Sequence, residues 1–216
     1  MTAATVRKYV MLHGKIETLA DFATINDWIL SDKFAQEEAS DYPENCISVY
    51  YTVDLEQKQI TDKYFAANWN PKYKETFKQV SVAWLEEYFT VEENDLKQLD
   101  NPEENIIAPG GEIFTLLDIQ GQGLGVVAML HHGDFAELGK MGVKKQYNGK
   151  GLSHPLMYEA ISWAKNHERS YPQVDIYTAA HLGPAVGLYK KYGFEVVPVG
   201  GYNKFARVDL AMRLTF

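Results

Sequence analysis

The stretch AELGKMGVKKQYNGKG, at residues 136–151, decides the fold. An apolar, strand-like run ends at Val143, a loop with Gly149 and Gly151 follows, and helical spacing begins directly after the loop. This arrangement presents backbone N–H groups to a phosphate, because glycine has no Cβ and readily takes a positive φ. The first helical turn adds unpaired donors and the positive end of its dipole. The pattern predicts an anion cradle suited to a phosphorylated cofactor, although such glycines also occur in purely structural turns.

The segments on either side predict further elements of an α/β chain. Glu112–Ile119 and Gly125–His132 are strand-like, and the glycines between them are typical of a hairpin turn. With Ala136–Val143 they predict a three-stranded meander. Apolar residues recur with helical spacing in four other segments. The predicted helices are Tyr73–Phe89, Glu92–Leu99, Leu152–His167 and Pro184–Tyr192, and the remaining predicted strands are Tyr64–Trp69, Val174–Thr178, Phe194–Val199 and Val208–Phe216.

The first 60 residues have their own pattern. Val6–Leu12 and Cys46–Leu55 are strand-like, and Leu19–Phe34 has helical spacing. We therefore expect an N-terminal strand–helix–strand appendage at residues 1–60 and a second domain at residues 61–216. No motif in the appendage points to a function.

Composition argues against several classes of protein. The formal charge of −8 disfavours binding to nucleic acids or anionic membranes, both of which attract a basic surface. The single cysteine, Cys46, cannot form an internal disulfide, and its strand context is typical of a small buried residue. Residues Met1–Lys15 lack the apolar stretch of a secretory signal, so we expect a cytoplasmic protein. No histidine spacing is typical of a zinc site, and we expect no metal.

Two motifs resemble those of the GNAT N-acetyltransferase superfamily. The first places Gln146, Gly149 and Gly151 between a strand and a helix, which is similar to that family's acetyl-CoA signature, Arg/Gln-x-x-Gly-x-Gly/Ala. The second is LGPAVGLYKKYGF at residues 182–194, which is similar to Ala-x-x-Leu-Tyr-x-Lys-x-Gly-Phe. Two motifs in the right order, about 40 residues apart, are far more specific than either alone. The resemblance extends over residues 62–216.

The resemblance implies the fold of that family. The chain would form an α/β (α+β) structure with a mixed, mostly antiparallel central sheet flanked by helices. Its central strands would splay after Val143 and Val174 to admit the cofactor.

The resemblance also implies that acetyl-CoA is the acyl donor. Backbone groups of Met141, Gly142 and Val143 would contact the pantetheine arm. Gln146 stands where arginine is commoner in the family, and Ser153 replaces a smaller residue. The residues that would hold the pyrophosphate are Gln146, Tyr147, Asn148, Gly149, Lys150, Gly151, Leu152 and Ser153.

Two side chains match catalytic positions of the family. Tyr189 matches the tyrosine that protonates the departing sulfur, although its position is also typical of a core tyrosine. Glu137 matches a glutamate that accepts the proton of the amine, usually through water, although an isolated glutamate on a strand is often merely exposed. The backbone N–H of Val143 would stabilise the oxyanion.

These features predict transfer of an acetyl group from acetyl-CoA to a primary amine of a small molecule or peptide, by direct attack in a ternary complex. Cys46 lies outside the matching region, which disfavours an acyl-enzyme. The alternative is a non-catalytic acyl-CoA-binding module that uses the same fold for sensing or interaction. We expect no nucleic-acid or membrane partner, and a homodimer remains open.

Overall fold

The computed structural model describes residues 6–12, 14–25, 42–57, 59–201 and 205–216. Within these residues ten strands form one sheet, and helices cover both of its faces. The strands are β1 (Arg7–Leu12), β2 (Lys15–Thr18), β3 (Cys46–Asp54), β4 (Gln59–Ala67), β5 (Glu112–Leu117), β6 (Gly123–His131), β7 (Ala136–Val143), β8 (Gln173–Thr178), β9 (Glu195–Val197) and β10 (Leu210–Thr215). The helices are α1 (Leu19–Ile25), α2 (Lys74–Tyr88), α3 (Glu93–Asp100), α4 (Ser153–Asn166) and α5 (Gly183–Lys191).

The strand order across the sheet is β2-β1-β3-β4-β5-β6-β7-β8-β10-β9. Neighbouring strands are antiparallel except at two places, where β1 pairs with β3 and β7 pairs with β8 in parallel. The expected mixed, mostly antiparallel sheet flanked by helices is therefore confirmed. No helix among the described residues is both long enough and apolar enough to span a membrane.

The centre of the sheet is buried on both faces because alternate residues of β6 meet different helices. Val127 and Met129 face α4, whose Leu156 and Ala160 repeat with helical spacing. Val126 and Ala128 face the opposite way, against Phe77 and Val80 of α2. This packing fixes α2 and α4 on either side of β6 and β7, and their ends flank the site described below.

The gap in the sheet lies between β7 and β8. These strands pair only where Ala136 meets Val174 and Glu137 meets Asp175. The divergence on β7 thus begins earlier than predicted, at Leu138 rather than after Val143. A bulge accounts for this difference, since the β6–β7 register shifts between Val126 and Ala128, and Lys140 there has a φ of +49°. A bulge bends its strand and increases its local twist.

Several predicted bounds need correction near the N-terminus. The fourth strand begins at Gln59 rather than Tyr64, because it forms a hairpin with β3. The short strand β2 was not predicted. Helix α1 covers the first part of the predicted helix, and residues 26–34 of that prediction lie outside the described residues. The division into two domains at residue 60 stays a prediction, although residue 60 lies inside β4 and the sheet continues across it.

Candidate active site

A cleft of about 920 Å³ opens at the wide end of the gap. This volume is at the upper end of the range for small-molecule sites. Its walls come from α2, the end of β7, the loop at residues 144–151, the start of α4, and α5. The sheet thus opens where the strand, glycine loop and helix of the predicted anion cradle meet.

The glycine loop turns its backbone donors toward one place. A 3₁₀ turn at Lys145–Tyr147 ends the strand, and Gly149 and Gly151 then take φ values of +80° and +73°, which glycine adopts without strain. Within the described residues, the N–H groups of Gly149, Gly151, Leu152 and Ser153 donate to no acceptor. Donors of this kind at a helix start suit a phosphate.

The exposed edge of β7 offers a second set of backbone groups. The N–H of Lys144 donates to the carbonyl of Leu124, across the pair with β6. Since N–H groups alternate along a strand, the N–H of Val143 faces the gap instead. Gly142 allows α2 to approach closely, because a Cβ there would lie 3.3 Å from Cγ1 of Val80. An extended ligand arm along this edge would pair with β7 as an added strand does.

Ten of the eleven residues predicted to bind the cofactor line this cleft. The exception is Lys150, whose Nζ lies 5.5 Å from the centre of the Tyr147 ring. Those that line the cleft are Met141, Gly142, Val143, Gln146, Tyr147, Asn148, Gly149, Gly151, Leu152 and Ser153.

The cleft contains basic groups that the motif alone does not include. Lys145 is paired with Glu87 of α2, with Nζ 3.0 Å from Oε1, whereas Lys191 forms no ion pair with any described residue. His154 is nine-tenths buried, and its pKa is lowered by burial and by the charge of Lys191. A neutral imidazole is therefore favoured at neutral pH.

Tyr189 stands where the cleft meets a smaller cavity of about 80 Å³. Its side chain is 8% exposed, and its hydroxyl makes no hydrogen bond within the described residues. Burial raises the pKa of that hydroxyl to about 12. The phenol therefore keeps its proton at neutral pH and is available as a donor.

Glu137 lines the smaller cavity, as Tyr189 does. It is 6% exposed and accepts a hydrogen bond from Nε2 of His132 at 2.7 Å. His132 follows the last residue of β6, His131, and its ring lies beside this carboxylate. The other walls are mostly apolar or aromatic, and include Trp84, Leu85, Phe89, Leu138, Ile176, Tyr177, Leu182 and Phe205.

The smaller cavity forms the narrow end of the gap, and an ionic cluster there supports the bulge of β7. Lys140 donates to Oδ1 of Asp95 at 2.8 Å, and Arg207 binds both oxygens of the same carboxylate at 2.8 and 2.7 Å. Asp95 is fully buried. Burial alone would raise its pKa, but hydrogen bonds from Arg207 and Lys140 outweigh burial and leave the pKa below its usual value. The side chain of Lys140 therefore holds its left-handed backbone in place.

Several residues reach the site only because the fold brings distant segments together, and the sequence gives little sign of them. No motif in the sequence singles out His132 or His154, yet one contacts Glu137 and the other lines the cleft. Asp95 and Arg207 are 112 positions apart, so no local pattern joins them. The one available signal for Lys191 was its place in the second motif. Among the described residues, no group of three His, Cys, Asp or Glu side chains is arranged to hold a metal ion.

The two cavities form a site with a clear division of chemistry. Backbone donors and lysines at the wide end suit the phosphates of a large carrier, and the strand edge suits its extended arm. The narrow end is lined by the carboxylate of Glu137 and the protonated phenol of Tyr189. Such a site can hold an activated group on a phosphorylated carrier while a small nucleophile approaches from the narrow end.

Comparison with known proteins agrees with this geometry. Residues 109–196 match the family model of the acetyltransferase (GNAT) domain. No curated protein matches the chain significantly.

Solved structures with a similar fold include three acetyltransferases. A GNAT-family acetyltransferase from Staphylococcus aureus Mu50 is 18% identical, with a TM-score of 0.63 over 70% of this chain and 98% of that one. An acetyltransferase from Streptococcus agalactiae 2603 is 14% identical, with a TM-score of 0.62 over 71% of this chain and 98% of that one. A variant of the spermidine N-acetyltransferase from Vibrio cholerae is 16% identical, with a TM-score of 0.54 over 70% of this chain and 93% of that one. At these identities the likeness shows the fold.

Proposed function

We propose, from the match of residues 109–196 to the acetyltransferase (GNAT) domain, that the protein transfers an acetyl group from acetyl-CoA to a primary amine. The observation that carries this proposal is the junction of the two cavities at Tyr189. A carrier bound by the glycine loop and along β7 would present its acyl group at that junction. The reaction would occur by direct attack within a ternary complex.

The acceptor would enter the smaller cavity. Its volume of about 80 Å³ suits the reactive end of an amine rather than a bulky group. Glu137 would attract the amine, and the aromatic walls would pack against the carbons next to it. An aliphatic or aromatic primary amine, either free or at the end of a peptide, fits this lining best. The spermidine acceptor in the name of the Vibrio cholerae structure is one member of this class.

Amine activation requires a base, because a free primary ammonium has a pKa near 10.4 and only about one molecule in 2,500 is neutral at pH 7. We assign this role to Glu137, directly or through one water. His132 donates to Oε2 of this carboxylate and would hold it in one orientation. The backbone N–H of Val143, which faces the gap, would stabilise the carbonyl oxygen as it becomes negative.

The leaving sulfur requires a donor at the junction of the cavities. Tyr189 would supply it, because its hydroxyl has no other partner within the described residues and its raised pKa keeps the proton in place. The phenol would donate to the sulfur as the C–S bond breaks. The products are the amide and coenzyme A.

Thiol release from acetyl-CoA, measured with a panel of primary amines, tests the proposal. We expect turnover with at least one amine and an acetylated product of the expected mass. Binding of acetyl-CoA without turnover on any amine would instead support a non-catalytic module. Failure to bind acetyl-CoA would contradict both functions.

A further inference from the structure

Two nitrogen atoms lie side by side next to the start of α4. One is Nζ of Lys191, at the end of α5, and the other is Nε2 of His154. A Cβ built on Gly14 would lie 2.3 Å from the lysine nitrogen and 2.8 Å from the histidine nitrogen. The two atoms are therefore at most about 5 Å apart, close enough to bind oxygens of one phosphate.

Neither nitrogen has an acceptor in the part of the chain that the structure describes. Lys191 makes no ion pair there, and Glu87, the acidic residue of the cleft wall, is engaged by Lys145. The hydroxyl of Tyr192 lies 2.9 Å from Nδ1 of His154. The same hydroxyl also donates to the backbone carbonyl of His154 at 3.3 Å. A phosphate oxygen beside Nε2 favours the form of the ring that carries a proton on that nitrogen. The ammonium of Lys191 and the Nε2–H of His154 are then both available to a ligand in the cleft, which these two residues line.

We propose that Lys191 and His154 form a second, side-chain phosphate site that binds coenzyme A beside the glycine loop. This inference rests on the proposed function, since it assumes that coenzyme A occupies the cleft. Coenzyme A carries a diphosphate and a separate 3′-phosphate, and the backbone donors at residues 149–153 suffice for one of them. Lysine is a common phosphate ligand because its ammonium acts as a compact point charge.

Gly14, the residue directly before β2, fixes this site in place. Gly14 has a φ of +75° and packs directly against both nitrogens, so a side chain there would displace them. Gly14 lies outside the matched family region, residues 109–196. The N-terminal hairpin therefore contributes to coenzyme binding by setting the position of Lys191.

Calorimetric titration of the full chain with coenzyme A and with 3′-dephospho-coenzyme A tests the phosphate contact. We compare Lys191→Met with Lys190→Met. The control removes the same charge at the neighbouring position, where the side chain is exposed and does not line the cleft. Lys191→Met should raise the Kd for coenzyme A about tenfold, as expected for a lost charge-assisted hydrogen bond. Lys190→Met should leave it within twofold.

Each outcome of the titration has a defined meaning. A loss seen only with coenzyme A assigns Lys191 to the 3′-phosphate, and an equal loss with both ligands assigns it to the diphosphate. Equal affinities of Lys191→Met and Lys190→Met for both ligands would overturn the inference. If the unmodified protein binds neither ligand, the proposed function fails instead.

A second pair of variants tests the role of the hairpin. Gly14→Ala adds a methyl group that must push the two nitrogens aside. Gly121→Ala is a matched control, because its φ is also +75° and no atom lies within 4 Å of the new Cβ. We expect Gly14→Ala to raise the Kd for coenzyme A about threefold more than Gly121→Ala does. Equal affinities of the two variants would show that the hairpin does not set the site.

Discussion

The wide end of the cleft is built mainly from backbone, whereas its narrow end is built from side chains. At the wide end, the N–H groups of residues 149–153 and the edge of β7 supply the donors, within a short piece of chain. At the narrow end, the side chains of Glu137, Lys140 and Tyr189 line the cavity, and Lys140 pairs with Asp95, which is 45 positions away in the sequence. The ligand that is common to a whole family would meet the backbone, and the variable acceptor would meet the side chains.

This difference has a physical basis. A backbone cradle tolerates most substitutions, because N–H groups remain when side chains change, and is sensitive chiefly to loss of a glycine. A side-chain site is tuned by single substitutions, because each group depends on particular partners. Four predictions test whether the two ends have these different roles, and they run from the largest expected effect to the smallest.

Gly149→Asp should abolish coenzyme binding at the wide end. The new carboxylate would face the diphosphate, and repulsion between like charges in a site costs several kcal/mol. Gly121→Asp is the control, since Gly121 also has a positive φ and open space around it, away from the cleft. Calorimetry should detect no binding to Gly149→Asp and unchanged affinity for Gly121→Asp. Normal affinity in both would show that the anion cradle lies elsewhere.

Asp95→Asn should destabilise the narrow end by about 3 kcal/mol, because it leaves Lys140 and Arg207 without their buried carboxylate. Since the folded-state pKa of Asp95 is lowered, its stabilising effect is complete above the unfolded value of about 3.9 and is lost as the pH falls through the folded value. Urea unfolding at several pH values measures this. Glu93→Gln, in an exposed ion pair, should change little, and equal losses in the two variants would contradict the account.

Tyr189→Phe should lower kcat about 100-fold, within the range of general-acid contributions, while the affinity for acetyl-CoA stays within twofold. Steady-state kinetics and calorimetry separate the two effects. Tyr171→Phe removes another buried hydroxyl, outside both cavities, and should keep kcat near that of the unmodified protein. An unchanged kcat in Tyr189→Phe would remove the phenol from the mechanism.

Glu137→Gln should lower kcat/KM about tenfold at pH 7. The loss should shrink toward pH 10, because the free amine then loses its proton without a base. A pH–rate profile of both proteins with one amine checks this. A loss of the same size at every pH would indicate that Glu137 supports the structure rather than removing a proton.

The sequence predicted the wide end well because its signals are local. The bounds of β7 agree with the prediction, and α4 begins one residue after the predicted helix start. Glycines at 149 and 151 take the positive φ values that the loop requires. Periodicity and glycine placement act over a few residues, and these are the patterns that a single sequence displays.

The narrow end could not be predicted in the same way. Residues 95, 140 and 207 meet only because α3, β7 and the segment before β10 pack together. Lys140, in the bulge of β7, reaches Asp95 across this contact, and the bulge accompanies the early divergence of β7 from β8. Likewise, Gly14 reaches Lys191 and His154 only through the fold. Contacts of this kind leave no periodic trace in a sequence.

A crystal structure of the protein with bound coenzyme A tests the central claim most directly. We expect diphosphate oxygens within about 3 Å of the N–H groups of Gly151 and Leu152, the pantetheine arm along β7, and the sulfur directed at the hydroxyl of Tyr189. A coenzyme bound in another place, or a sulfur remote from that hydroxyl, would contradict the account.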